Sequence, residues 1–396
     1  MRVLHVIKTS DGALWAAEMA SRLVALGVDV HVALPSGDGA AHPVWRRSGA
    51  TIHIADLSLP VRSLWNFAKA KQTVQRLVDR VNPDLIHSHF VATTLMLRAA
   101  LGRHHPIPRL FQVPGPLHLE HSTFRRLDLM TAGAADSWIA SSDCIRQHYI
   151  RANVDPKRVF LSYYGTNIGR IETVRTNRLR SRLGVSDSQL LIGNICHMYA
   201  PKLYLGQFHG IKEHETLIDA LALVVRKRSD VVGALVGGGW NRARRYEVRL
   251  RKRAARRAGT HIILPGPVDG QFAASAWADF DCVVHVPASE NCGGVVEPLL
   301  AGVPTIASAV GGLPEVVVNG LSGYLVPPRD PEALADCILD VLDNFQAAKR
   351  TATFGQQRVR QLFDVQRTAG EVQRVYQTVV GARTPSMEHR NCGAFA

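Results

Sequence analysis

Short apolar runs alternate with amphipathic segments along the whole chain. The runs are RVLHVI (2–7), VDVHVAL (28–34), TIHIA (51–55), DLIHSH (84–89) and RVFLSY (158–163). Between the first two, LWAAEMASRLVAL (14–26) carries apolar residues at helical spacing. Strand-sized runs alternating with helical ones predict βα units and parallel sheets. The pattern pauses over polar, basic residues near 165–180. It restarts with LLIGNIC (190–196), VVGALVG (231–237), HIILPG (261–266), CVVHVP (282–287) and VPTIAS (303–308). This predicts two α/β domains, 1–170 and 171–364, joined near 165–180. Asp330-Pro331 supplies an N-cap and a first-turn proline for a helix. A last helix is expected over 365–382, and the polar tail 383–396 is expected to fray.

A chain of 396 residues is long for one core, which agrees with two domains. Its 46% hydrophobic and 20% charged residues are globular values. No run approaches the ~18–20 apolar residues that span a bilayer. Residues 2–7 read as a buried strand rather than a signal segment. Six cysteines without a CxxC pair read as free thiols in a reducing, cytoplasmic setting. The net charge is +14, and residues 242–257 carry +8 of it, with nine basic side chains against Glu247. That concentration weakens any inference from overall charge to a nucleic-acid partner, and the segment lacks the interleaved aromatics such binding uses.

The chemistry concentrates in residues 286–327, VPASENCGGVVEPLLAGVPTIASAVGGLPEVVVNGLSGYLVP. A buried strand ends at Pro287. A loop carries Glu290, Asn291 and Cys292, followed by Gly293, Gly294 and a helix expected to begin near Val295. Glycines before a helix N-terminus expose amides and a positive dipole end, which suits a diphosphate. Glu297, in the first turn, is placed to hydrogen-bond paired hydroxyls such as those of a ribose. Gly311-Gly312 and Pro314-Glu315 form a second close-approach loop.

This segment resembles glycosyltransferase family 4, the retaining GT-B enzymes. Glu297, Ala301-Gly302-Val303-Pro304 and Gly311-Gly312-Leu313-Pro314-Glu315 match that family's pattern. Lys212–Ala220 resembles its Lys-Gly helix start, with Glu213 in place of the glycine. Gly12 resembles its first glycine loop, Asp84–His89 its Asp-x-x-His-x-His strand, and Gly165–Asn167 its Gly-x-Asp linker. The family's two glutamates stand seven residues apart, whereas six separate Glu290 from Glu297, leaving Ser289 as a rival for the first carboxylate. The family's usual arginine before the lysine falls at His197. Residues 198–211 look like an insertion, in which Lys202 is a candidate for the missing charge.

The resemblance implies a GT-B fold, two Rossmann-like doubly wound domains facing a cleft, with the last helix packing back on the first. It implies Lys212, Glu290 and His118 as catalytic residues, with His121 competing for the role of His118. It implies donor binding by Gly12, His197, Lys202, Val268, Asn291, Cys292, Gly293, Gly294, Val295 and Glu297, with the base near Pro267-Val268. The implied reaction moves a sugar from a UDP- or GDP-sugar to a polysaccharide, glycolipid or other glycoside, without cofactor or metal. A nucleotide-sugar epimerase on the same fold is the alternative, and a basic nucleic-acid-binding protein the alternative from another class.

Other clusters carry two readings. Asp279-Phe280-Asp281 matches an Asp-x-Asp metal motif, but its place between a helix and a buried strand favours capping. His87 and His89 share one strand face, with no third ligand near in sequence, so structural hydrogen bonding or cleft lining is favoured over a metal. The basic segment reads as a solvated face or as a contact to an anionic membrane. Leu64, Trp65 and Phe67, with Lys69 and Lys71, read as packing against the first sheet or as an interfacial helix.

Overall fold

The computed structural model describes residues 1–59, 64–203, 206–240 and 243–382. The expected fraying of 383–396, Cys392, Arg242 and the side chain of Leu64 lie outside the described residues. Among them, the strands form two parallel sheets. The first holds β1 (Arg2–Val6), β2 (Asp29–Leu34), β3 (Thr51–Ile54), β4 (Leu85–Ser88), β5 (Arg109–Val113), β6 (Asp136–Ala140) and β7 (Val159–Leu161), in the order β3-β2-β1-β4-β5-β6-β7. The second holds β8 (Leu190–Ile195), β9 (Val231–Val236), β10 (Ile262–Gly266), β11 (Cys282–His285), β12 (Thr305–Ser308) and β13 (Tyr324–Val326), in the order β10-β9-β8-β11-β12-β13. Both are doubly wound. The order reverses beside β1 and again beside β8, and the crevice past the carboxyl ends of such strands is where ligands bind.

Strands buried on both faces need apolar residues on both, and these supply them. Along β1, Val3 joins the layer under the helix Leu14–Ala25 while Leu4 and Val6 join the opposite layer. The second sheet is likewise clamped between two apolar clusters. The helix Val365–Gly381 crosses back: Val365, Ala369, Val372, Val375 and Tyr376, at helical spacing, are buried in the core under β1 and β2. Each buried valine contributes about 1.5–3 kcal/mol. The chain therefore closes on itself, and its two sheets face one another across a cleft.

Two expectations change here. Phe67 packs on the first domain, but Trp65 stands 83% exposed. His87 and His89 do gain a third histidine, His5 from β1, which was invisible as a neighbour in sequence; their ring nitrogens lie within 4.8 Å of one another. The parallel register of β1 and β4, pairing His5 with His87, makes that meeting. Tyr376 Oη bonds both His87 Nδ1 (2.6 Å) and His5 Nε2 (3.2 Å), tying the last helix to the cluster.

Candidate functional site

A cavity of about 300 Å³ opens between the domains. Trp15, Glu18 and Tyr164 line it from one side, and Glu290, Gly293 and Glu297 from the other. The loop that follows β11 and the helix after it supply the second domain's side of the cavity.

Lys212, far away in sequence, makes a charge-assisted hydrogen bond to Glu290 at the edge of this cavity. Lys212 does not open the helix as expected. It precedes the helix His214–Lys227 by two residues, and Glu213 between them holds φ at 50°, the left-handed region that favours glycine. A glutamate there costs about 1–2 kcal/mol relative to glycine. Arg329 Nε (2.7 Å), His209 Nδ1 (2.9 Å) and Thr216 Oγ1 (3.0 Å) all bond the buried Glu213 carboxylate and hold the turn. The lysine is thereby aimed at the cleft without the family's glycine.

His285, at the end of β11, contacts the same Glu290 carboxylate through Nε2 at 3.2 Å. Burial alone would raise the Glu290 carboxyl, but Lys212 and His285 outweigh it and hold it well below the usual carboxylate range. The Lys212 ammonium is disfavoured by burial and more than restored by Glu290. Both groups are charged at neutral pH.

The glycines act through close approach. A Cβ on Gly294 would fall 2.0 Å from His285 Nε2, and one on Gly311 1.8 Å from the Glu290 carbonyl oxygen. Gly311 also holds φ at 54°. These positions therefore admit glycine alone. Gly293 is different: nothing lies within 4 Å of its would-be Cβ, and it borders the cavity. The helix begins at Gly293, two residues earlier than expected, so the Gly293-Gly294 amides form its unsatisfied first turn.

Glu297 is engaged. It accepts from Trp277 Nε1 (3.0 Å) and from the Arg170 guanidinium, and Arg170 also reaches Glu18 at 3.9 Å. Arg170 lies on the turn Ile168–Arg170, in the connection between the two sheets. It thus links both domains to the carboxylate expected to hold a ribose.

Several candidates sit elsewhere than expected. His118 turns inward: it is buried, with Nε2 3.3 Å from Tyr149 Oη and 3.5 Å from Asp128. His121 borders a second interdomain cavity with Ser289 and Arg329 instead. The Val295 side chain is fully buried in the second core, and the Cys292 thiol is buried against the Gly312 carbonyl at 3.3 Å, so neither presents its side chain to a donor. Lys202 is exposed on its loop, its amide bonded to Gln207, with no tie to Glu290 among the described residues. Val268 packs on the second core. His197 lies edge-on to Trp240 at 4.7 Å; burial and then Lys212 lower its pKa. A Cβ on Gly12 would stand 3.8 Å from Trp240, so the first loop faces the second domain.

Asn291, expected at the donor, and Glu315, named only within a motif, carry contacts between the domains, and His285 was not singled out at all. Asn291 Nδ2 donates to Ser141 Oγ (2.9 Å) across the cleft. Glu315 accepts from the Asp143 (2.8 Å) and Cys144 (2.7 Å) amides at the start of the helix Asp143–Arg151, and from Tyr163 Oη. His285 backs Glu290. Glu315 had a signal only as the last letter of a motif with no role attached, and His285 had none.

The aspartates of the Asp-x-Asp triplet are used structurally. Asp279 accepts from the Thr176, Asn177 and Leu179 amides at 2.7–2.8 Å, and Asp281 pairs with Arg175 and Arg180.

Comparison with known proteins agrees with this arrangement. Residues 13–170 match the family model described as Glycosyltransferase Family 4, and residues 202–344 that of Glycosyl transferases group 1. A D-inositol 3-phosphate glycosyltransferase of Nocardioides sp. is 27% identical over 256 residues, 61% of this chain and 54% of that one. A phosphatidyl-myo-inositol mannosyltransferase of Mycobacterium leprae is 35% identical over 181 residues, 45% of this chain and 46% of that one. The chain spans about half the length of the curated relatives it first matches. The crystal structure of Anabaena HepE in complex with UDP-glucose superposes with a TM-score of 0.79 at 22% identity, covering 96% of this chain and all of that one, a likeness of fold. The two-domain architecture is GT-B. With both halves matched by models of one group, the chain belongs to glycosyltransferase family 4.

Proposed function

We propose that the chain is a retaining glycosyltransferase that moves a sugar from a UDP- or GDP-sugar to a polysaccharide, glycolipid or other glycoside acceptor. The observation that carries this reading is Glu290, which lines the interdomain cavity beside the open Gly293 turn and is held charged by Lys212 behind it. In the proposed step the bond from the anomeric carbon to the diphosphate breaks and the acceptor hydroxyl oxygen bonds to that carbon. The hydroxyl proton leaves with the diphosphate. Negative charge grows on the leaving group, and Lys212 and the first-turn amides of Gly293–Leu300 stabilise it. Glu290 accepts hydrogen bonds from sugar hydroxyls, and Glu297 holds the ribose after exchanging its Arg170 partner. These groups supply the electrostatic role a metal would otherwise fill, so the proposal includes no metal.

A thermal-shift panel of UDP-, GDP- and ADP-sugars, run in EDTA, tests the donor. A ligand of the folded state raises the melting temperature. A shift with at least one UDP- or GDP-sugar is expected, and none with any donor would refute the reading. Product analysis on donor alone separates transfer from epimerisation.

A further inference from the structure

The helix Arg244–Ala258 packs through Tyr246, Leu250 and Ala254, four residues apart. Its cations divide into two sets. Arg251 pairs with Glu247, and Arg253 and Arg257 pair with Asp219. Arg245, Arg249, Lys252 and Arg256 recur at helical spacing on another face, all exposed, and among the described residues no carboxylate pairs with them. Like charges spaced this way repel one another, and an anionic partner would relieve that repulsion.

Apolar surface lies against it. Phe208 is 83% exposed, and with Arg249, Lys252 and Arg256 it borders a groove of about 570 Å³. Leu203, on the same inserted loop, is 72% exposed. A Cβ on Gly210 would fall 2.2 Å from Tyr246 Oη, so the loop is pressed onto the helix. From there it runs into the site: the Ala288 amide donates to the Ile211 carbonyl at 2.9 Å, and Lys212 follows.

We propose that this face docks on an anionic lipid bilayer, with the cationic stripe over headgroups and Phe208 and Leu203 entering the interface. Anionic lipid attracts clustered arginine and lysine, and an aromatic beside them gains by leaving water. A soluble polyanion would satisfy the charges but leave Phe208 in water, which decides for the bilayer. The proposal deepens the transferase reading, on which it rests only for its acceptor, a glycolipid presented beside the cleft.

The test is co-sedimentation of the full chain with vesicles of phosphatidylglycerol and phosphatidylcholine, or of phosphatidylcholine alone. The variants are the triple R249E/K252E/R256E and Phe208→Ser, each checked for an unchanged melting temperature and an unchanged nucleotide-sugar thermal shift. The unmodified chain is expected to bind the anionic vesicles alone. The triple variant should lose about tenfold or more in affinity, and Phe208→Ser several-fold at a salt concentration that screens the charges. Binding no better than to phosphatidylcholine, or equal binding by both variants, overturns the proposal. So does loss in the triple variant alone, which would make the contact purely electrostatic and leave Phe208 no part in it. An intact nucleotide-sugar shift in these samples leaves the transferase reading standing whichever result is found.

Discussion

Lys212 donates a charge-assisted hydrogen bond to the carboxylate of Glu290, which lines the interdomain cavity. The two arrive on different loops, and each holds the other charged. A diphosphate entering beside Gly293 would compete for the lysine, leaving Glu290 for the sugar. Under the proposed function, the pair would divide between the two halves of one donor.

Glu290→Gln keeps the shape but removes the charge and one acceptor. The expected result is a fall in kcat of about a hundredfold, or about 2.7 kcal/mol, with nucleotide affinity changed less than about threefold. Ser289→Ala is expected to stay within about 1 kcal/mol in kcat/KM, since the buried Ser289 Oγ makes no hydrogen bond among the described residues. Steady-state kinetics on the two variants checks this. A crippled Ser289→Ala beside a near-normal Glu290→Gln would reverse the assignment.

Arg170 occupies the Glu297 carboxylate that the ribose is proposed to use. Both side chains are about one-third exposed, so the pair is worth about 0.5–1 kcal/mol. Arg170→Ala is expected to tighten nucleotide binding about two- to fivefold, as read by calorimetry. Weaker binding would mean that Arg170 itself touches the nucleotide.

His5, His87 and His89 are fully buried, and burial depresses all three, His5 to about 3 and the others well below their ordinary value. Folded, they stay neutral; unfolded, they take up protons near pH 6.5. The unfolded chain therefore binds more protons, and stability falls as pH drops below about 6.5. With three such groups the slope approaches about 4 kcal/mol per pH unit as an upper bound. Urea unfolding should show a lower midpoint at about pH 5.5 than at about pH 7.5, and equal midpoints would contradict the burial of these rings.

How much of this was legible depended on whether a contact was local. The βα alternation, the strand runs and the glycine turn at 293–294 are local patterns, and the sheets follow them. Side-chain direction was not local. Val295 falls on the core face of its helix, a matter of about 100° of rotation per residue, and His118 turns toward Tyr149 while His121 lines a cavity. The third histidine came from a strand paired across the sheet, and Glu315 found its partners on the other domain. Glu213 shows the limit from the other side: it stands in place of the family's glycine, and three side chains tether it there.

Lys212 is proposed to meet a nucleotide diphosphate in this cleft. Calorimetric titration of UDP and of GDP into the unmodified chain and into Lys212→Ala checks this contact. At least one nucleotide should bind the unmodified chain, and the substitution should weaken that binding by about 1.5–3 kcal/mol, the worth of a hydrogen bond to a charged group. Equal affinity in both proteins, or no binding of either nucleotide to the unmodified chain, would contradict it.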